Sequence, residues 1–206
     1  MALRDRVLAN QRWYHAFKQA LRADTTMRTM VVDHIRPQTG DRVLDVGCGD
    51  GDIRRLLGEV DYTGVDTNEN YLRVARGLED RSTRFVSANV TDLARLGFSE
   101  FDLAIAVGLL HHLSDEESDN LLSGLSKVLR QGGRLITLDP VFTPDQRTIA
   151  RVLAALDRGR HVREAKGYCG LVESHFAVRS VVTRHDLIWF PYSHCIIESE
   201  SLPANT

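Results

Sequence analysis

Four groups of residues in this 206-residue chain have the types and spacing to do chemistry. The first is an acid followed by alternating glycines: Asp45, then Gly47, Gly49 and Gly51, in "VLDVGCGDGD" over 43–52. The second is a polar residue closing each of two later apolar runs, Asp66 in "TGVD" and Asn89 in "FVSAN". The third is His111-His112, directly after "FDLAIAVGLL". The fourth is a basic stretch, Arg158, Arg160, His161, Arg163 and Lys166, followed by Tyr168.

A glycine-rich turn after a short apolar strand lets a ligand approach the backbone. A phosphate-cradling loop needs GxxxxGK[ST], and no Lys-Ser or Lys-Thr follows here. A dinucleotide fingerprint needs GxGxxG, and Asp52 stands at the third glycine position. Asp50 also puts negative charge where a pyrophosphate would sit, which is unfavourable at a site that holds anions. The reading left is a cofactor with an adenosine and no phosphates, S-adenosylmethionine. Its amine and sulfonium are cationic and suit an acidic loop. Asp45 lies at the strand end, Asp66 can accept from both ribose hydroxyls, Asn89 can meet an adenine edge, and Val90 can pack on the ring.

The elements that must carry these residues follow from periodicity. Residues 5–35 are expected to be helical: Trp13, Phe17 and Leu21 recur at four-residue spacing, and Met27, Met30, Val31 and Ile35 form a second stripe. Asp24-Thr25-Thr26 can cap the second of these helices, and Pro37 and Gly40 end them. Strands are expected at "RVLDV", "YTGVD", "TRFVSAN", "FDLAIAVG" and "RLITLD", with helices at "IRRLLGEV", "ENYLRVARGLED" and "SDEESDNLLSGLSKVLR" and a helical turn at "TDLARLG" between them. Ser114-Asp115-Glu116-Glu117 reads as a cap and acidic first turn, and "QGG" as the close of that helix. This alternation means a parallel sheet with helices on both faces. Helices are expected again at "PDQRTIARVLAALDRG" and "GYCGLVESHF". The last two strands, "VRSVVTRHDLIWF" and "PYSHCIIESE", are close enough in sequence to pair antiparallel, with a bend at Pro191.

Composition sets outer limits. With 43% hydrophobic and 26% charged residues the chain can fill one sizeable core. A net charge of −2 argues against general nucleic-acid binding. No apolar run reaches membrane-span length, and the N-terminus has no signal-peptide core. Cys48, Cys169 and Cys195 are too few and too scattered for a disulfide framework or a zinc knuckle, so a soluble cytoplasmic protein is expected. Without repeats or linkers, the chain reads as a single domain over 1–206. It divides into N-terminal helices (1–36), a cofactor-binding core (37–140), substrate-side helices (141–176) and a C-terminal strand pair (177–206).

In order, "VLDVGCGDG", "GVDTN", "FVSANVTDL", "FDLAIAVGLLHHL" and "LSKVLRQGGRLITLDP" resemble the serial motifs of class I S-adenosylmethionine-dependent methyltransferases. The resemblance covers roughly residues 38–140. The stretches "TGDRVLDVGCGDGDI", "LDPVFTPDQ", "DRGRHVR" and "RHDLIWFPYSH" are similar to a bacterial subgroup of type 11/12-like methyltransferases often encoded beside polysaccharide or natural-product pathways, a looser match that implies a small-molecule substrate. The family implies an α/β, Rossmann-like sheet of seven mostly parallel strands whose last strand is antiparallel. It implies cofactor contacts at Asp45, Gly47, Cys48, Gly49, Asp66, Thr67, Asn89, Val90, Val107 and Leu109. Many relatives carry Asp where Asn89 stands, and an amide still donates and accepts.

Methyl transfer asks mostly for positioning, because the sulfonium is already a strong electrophile. A base matters when the acceptor is a hydroxyl or a protonated amine. His111 or His112 can serve, though either can equally be structural. Acceptor binding is expected at Tyr14, Arg158, His161, Arg163 and Tyr168, where the arginines suit an anionic small molecule or simply form a solvated basic face. Val107-Gly108 offers no acidic metal ligand, and "VGLLHHL" lacks the Asn/Asp-Pro-Pro-aromatic motif of nucleobase amine methyltransferases. Small-molecule O- or N-methylation is the first expectation. RNA or protein methylation, a non-catalytic cofactor-binding domain and a nicotinamide oxidoreductase are the alternatives.

Overall fold

A computed structural model describes residues 23–144, 160–188 and 192–203. The expected segments at Trp13, Phe17 and Leu21, at "PDQRTIARVLAALDRG" beyond residue 144 and at Pro191 lie outside the described residues. The strands are β1 (Arg42–Val46), β2 (Asp61–Asp66), β3 (Thr83–Ser87), β4 (Phe101–Val107), β5 (Leu129–Phe142), β6 (Arg163–Glu164), β7 (Phe176–Arg184) and β8 (His194–Ser201). The α-helices are α1 (Ala23–Thr29), α2 (Glu69–Ala75), α3 (Asp115–Val128) and α4 (Ala165–Glu173).

The main sheet has the order β3-β2-β1-β4-β5-β8-β7, with the two-residue β6 pairing β5 to one side. β1 to β5 are mutually parallel, and β8 runs antiparallel to both β5 and β7. The chain is therefore α/β and Rossmann-like, as the strand–helix alternation and the final hairpin required. The order reverses between β1 and β4, which opens a crevice at the carboxyl ends of those two strands.

Alternation along each central strand explains the nearly unbroken apolar runs. Leu103 and Ile105 face one core with Met30, Ile35 and Leu72, while Ala104 and Ala106 face the other with Leu121, Leu125 and Val172. A strand buried on both faces must be apolar at every position. Against that rule, the acids at the strand ends stand out as residues kept for something else.

Several local expectations are corrected. "IRRLLGEV" forms only a 3₁₀ turn, Ile53–Leu56, because the few residues between the glycine loop and β2 cannot nucleate a longer helix. Asp24-Thr25-Thr26 lies within α1, and Thr26 bonds the Leu187 carbonyl. The chain then widens into a π-turn, Met30–Ile35, ending on Arg36 at φ 44°. "QGG" does not close α3. That helix ends at Val128, and Gln131-Gly132-Gly133 falls inside β5, beside a register shift against β4. The Ser114–Glu117 capping box is present as expected.

The N-terminal segment is fastened to β8 by charge. His34 Nδ1 lies 2.8 Å from Glu198 Oε1, Arg36 pairs with Glu198 Oε2, and Arg134 donates to the Ile35 carbonyl at 2.7 Å.

Candidate active site

The glycine loop leaves β1 with Gly47, Gly49 and Gly51 all at positive φ (75°, 55° and 78°), a path that residues with a Cβ rarely follow. The loop is tied down by Gly47 N and Cys48 N, which both donate to Val65 O. Asp66 completes the brace: Oδ2 accepts Gly49 N at 2.9 Å and Oδ1 accepts Asn68 N at 2.7 Å. Each carboxylate oxygen keeps a lone pair for a further donor. Leu109, half-buried, lies over Gly47, where a Cβ would stand 3.1 Å from its Cδ1. The space over Gly49 is open.

Asp45 is 3% exposed and accepts the Tyr62 hydroxyl at 2.6 Å. Burial pushes its carboxyl up to about 7; the Tyr62 bond opposes this and the Asp66 charge adds to it. Neither Asp45 nor Asp66 has a cationic partner among the described residues. An open glycine loop flanked by two unneutralised carboxylates fits a cationic, phosphate-free cofactor. Cys48 is buried and points at Gly64 in β2, and burial pushes its thiol far up, so it is a small packing residue. Thr67 and Asn89 are exposed beyond the carboxyl ends of β2 and β3, Val107 is half-buried at the end of β4, and Val90 belongs to the core at 6% exposure.

The two histidines differ in surroundings. His111 is 5% exposed, and its Nδ1 lies 2.8 Å from Asp139 Oδ1. The same oxygen accepts the His111 backbone N–H at 3.1 Å. Asp139 is buried on β5, where desolvation raises its carboxyl while the His111 contacts and the Arg163 charge pull it back. An ionised Asp139 makes Nδ1 the donor and leaves the Nε2 lone pair as the basic site. His112 is exposed and stacks on His111, ring centroids 4.0 Å apart.

Two expected acceptor contacts are corrected. All five N–H donors of the Arg163 guanidinium are used inside the protein: Nε and one Nη2 bond go to Asp115 Oδ1, the other Nη2 bond to Leu113 O, and the two Nη1 bonds to Leu110 O and His161 O. None is left for a substrate anion. Tyr168 is 1% exposed, donates to Pro140 O at 3.0 Å and accepts Arg163 N at 3.3 Å, so it is a core residue. His161 is half-buried, and its backbone N–H donates to His111 O. Tyr14 and Arg158 lie outside the described residues.

Sequence reasoning missed Asp139, Tyr62 and Gly64. Asp139 had a signal, since it closes the apolar run "RLITLD" as Asp45 and Asp66 close theirs. Tyr62 had none, since nothing in "YTGVD" marks it as the partner of Asp45.

A sheet of this order, with an acid-flanked glycine loop at its switch point, defines the class I S-adenosylmethionine-dependent methyltransferases, and the chain belongs to that class. Residues 43–133 match the family model described as "Methyltransferase domain". The chain is 32% identical over 139 residues to an O-methyltransferase of Pyrenophora dematioidea, covering 62% of this chain and 51% of that one. It is 30% identical over 171 residues to Methyltransferase GfsG of Streptomyces halstedii, covering 73% and 58%. The chain thus spans about half the length of the curated relatives it matches. The fold is similar to that of geranyl diphosphate C-methyltransferase from Streptomyces coelicolor A3(2), solved with Mg2+, geranyl diphosphate and S-adenosyl-L-homocysteine. The TM-score is 0.69 at 16% identity, covering 88% of this chain and 81% of that one.

Proposed function

We propose that this protein transfers the methyl group of S-adenosylmethionine to a hydroxyl of a small molecule, releasing S-adenosylhomocysteine. The observation that carries the choice of an acceptor that must lose a proton is the buried His111–Asp139 pair at the carboxyl ends of β4 and β5; oxygen is preferred to nitrogen because several relatives of the chain are O-methyltransferases. A carboxylate acceptor needs no base, whereas a hydroxyl gains from one as its oxygen attacks. The bound cofactor supplies an electrophilic methyl carbon on a sulfonium. Asp66 holds the ribose hydroxyls, Asn89 the adenine edge, and Asp45 the cationic methionine end, at the loop that Gly47 and Gly49 leave open to it. Thr67, Val107 and Leu109 complete the walls, and Val90 supports the adenine from the core side. His111 Nε2 takes the acceptor proton while Nδ1–H stays on Asp139, which steadies the imidazolium.

An anionic acceptor fits the basic side chains that remain beside this pair, Arg160 and His161. A cytoplasmic location fits the three free cysteines. No described helix is long and apolar enough to cross a membrane.

The test supplies methyl-labelled cofactor with a panel of hydroxylated small molecules, and in parallel with an extract. Label is expected in small-molecule ethers. His111→Gln should lose about 10²–10⁴ in rate, the usual worth of a positioned base, with S-adenosylhomocysteine affinity kept. Label in RNA or protein would overturn the acceptor class, and a His111→Gln protein at full rate would overturn the base.

A further inference from the structure

His111 sits in a one-turn 3₁₀ segment, Leu110–His112, that joins β4 to α3. Such a turn has little rigidity of its own. What holds it comes from far along the chain. The Arg163 guanidinium takes the carbonyl on the near side of His111 (Leu110 O, 2.9 Å) and the one beyond the turn (Leu113 O, 2.9 Å). It also grips Asp115, the first residue of α3, at 2.7 Å from Nη2 and 2.9 Å from Nε. Between these points, His161 N donates to the carbonyl of His111 itself at 3.0 Å, and Arg163 Nη1 bonds His161 O.

The arginine is itself fixed. Its backbone lies in β6, paired with Val141 of β5, two residues beyond Asp139. Its guanidinium lies 5.5 Å over the ring of buried Tyr168, and its side chain is 11% exposed. One planar, five-donor group therefore links the strand that carries Asp139 to the turn that carries His111.

We propose that Arg163 is a positioning residue: it locks the Leu110–Leu113 turn onto the β5–β6 ladder and so sets the His111–Asp139 geometry, without touching cofactor or substrate. The inference rests on the reading of His111 as base for its consequence in catalysis, but the clamp itself can be tested without an acceptor. Lysine cannot replace it, because an ammonium has three donors and no fork.

The test follows the imidazole Nδ1–H of His111 by proton NMR on histidine-labelled protein with S-adenosylhomocysteine bound, the signal being assigned by its absence in His111→Gln. In the wild type this proton should be protected from exchange by Asp139. In Arg163→Ala and Arg163→Lys, exchange should quicken by about tenfold or more, as in a locally opened segment. S-adenosylhomocysteine affinity should stay within about threefold, since the glycine loop is not part of the clamp. Added guanidinium should restore protection to Arg163→Ala and leave Arg163→Lys unchanged. If Arg163→Ala does not fold, Asp115→Asn gives the same readout: its side chain is 82% exposed and it receives two of the five bonds, so a smaller loss of protection is expected. A wild-type Nδ1–H signal in these variants would overturn the clamp. Full methyl transfer by His111→Gln would instead remove the base and leave the clamp standing.

Discussion

Gly64 sits in β2 directly opposite Asp45 on one side and Phe85 on the other. A Cβ there would stand 2.7 and 2.8 Å from Phe85 Cδ1 and Cε1 and 2.9 Å from Cys48 Sγ. Normal carbon contacts are about 3.5–4.0 Å, so Gly64→Ala must move these atoms by about 0.7 Å or more. Phe85 has little room to retreat: its ring tilts against Tyr62 with centroids 5.5 Å apart, and its far edge lies beneath Gly51. Overpacking of this kind costs about 1–3 kcal/mol. In a chain of this length that lowers Tm by about 2–4 °C per kcal/mol, or roughly 2–12 °C in all. The displaced groups support the glycine loop, so cofactor affinity should fall as well, by about fivefold if ~1 kcal/mol of the strain reaches the loop. The assay is calorimetric unfolding with and without S-adenosylhomocysteine, plus titration of the ligand. Adding Phe85→Leu to Gly64→Ala should recover part of the loss, giving a coupling of about 1 kcal/mol or more between the two positions. An unchanged Tm and affinity in Gly64→Ala would refute the steric account, and strict additivity with Phe85→Leu would refute Phe85 as the obstacle.

Four further outcomes are expected. Asp45, raised to about 7, binds a cationic cofactor best when ionised, so S-adenosylmethionine affinity should rise between about pH 6 and 8, and Asp45→Asn should flatten that slope in a titration series. The sign for stability is opposite: with the folded value above the ordinary 3.8, the contribution of protonated Asp45 is complete below about 4 and is lost as pH rises through about 7, so ligand-free wild type should lose Tm over that window relative to Asp45→Asn. Asp66→Ala removes one backbone bond to the glycine loop, one to Asn68 and both proposed ribose acceptors, and calorimetry should find cofactor affinity lower by about 2–4 kcal/mol, with Asp66→Asn recovering part of it. Glu198→Ala strips the shared partner from His34 and Arg36, and denaturant unfolding should show a loss of about 1–3 kcal/mol with the cofactor site unaltered.

The sequence by itself determined the architecture and the cofactor loop, because both rest on short-range signals. Short apolar runs ending in Asp45 and Asp66 marked strand ends, and glycines at every second position marked a backbone path that other residues resist. The Ser114–Glu117 box and the final hairpin were legible for the same reason: the interacting residues lie close along the chain. The length of the turn after the loop was not, since "IRRLL" has helical spacing and only the nearness of β2 cuts it short.

Tertiary structure alone decided which side chains the chemistry can use. His111 and His112 are adjacent and alike in sequence, and only the register of β4 against β5 brings one of them to Asp139. Arg163 read as a free cation suited to a substrate anion. Only the folded chain shows its five donors already taken, four by carbonyls and a carboxylate some fifty residues earlier and one by the nearby His161 carbonyl. Tyr168 looked like a pocket aromatic and is a core residue. Periodicity reports which face of an element is buried, whereas a hydrogen bond depends on the relative placement of two elements, and that placement is set by the packing of the whole sheet.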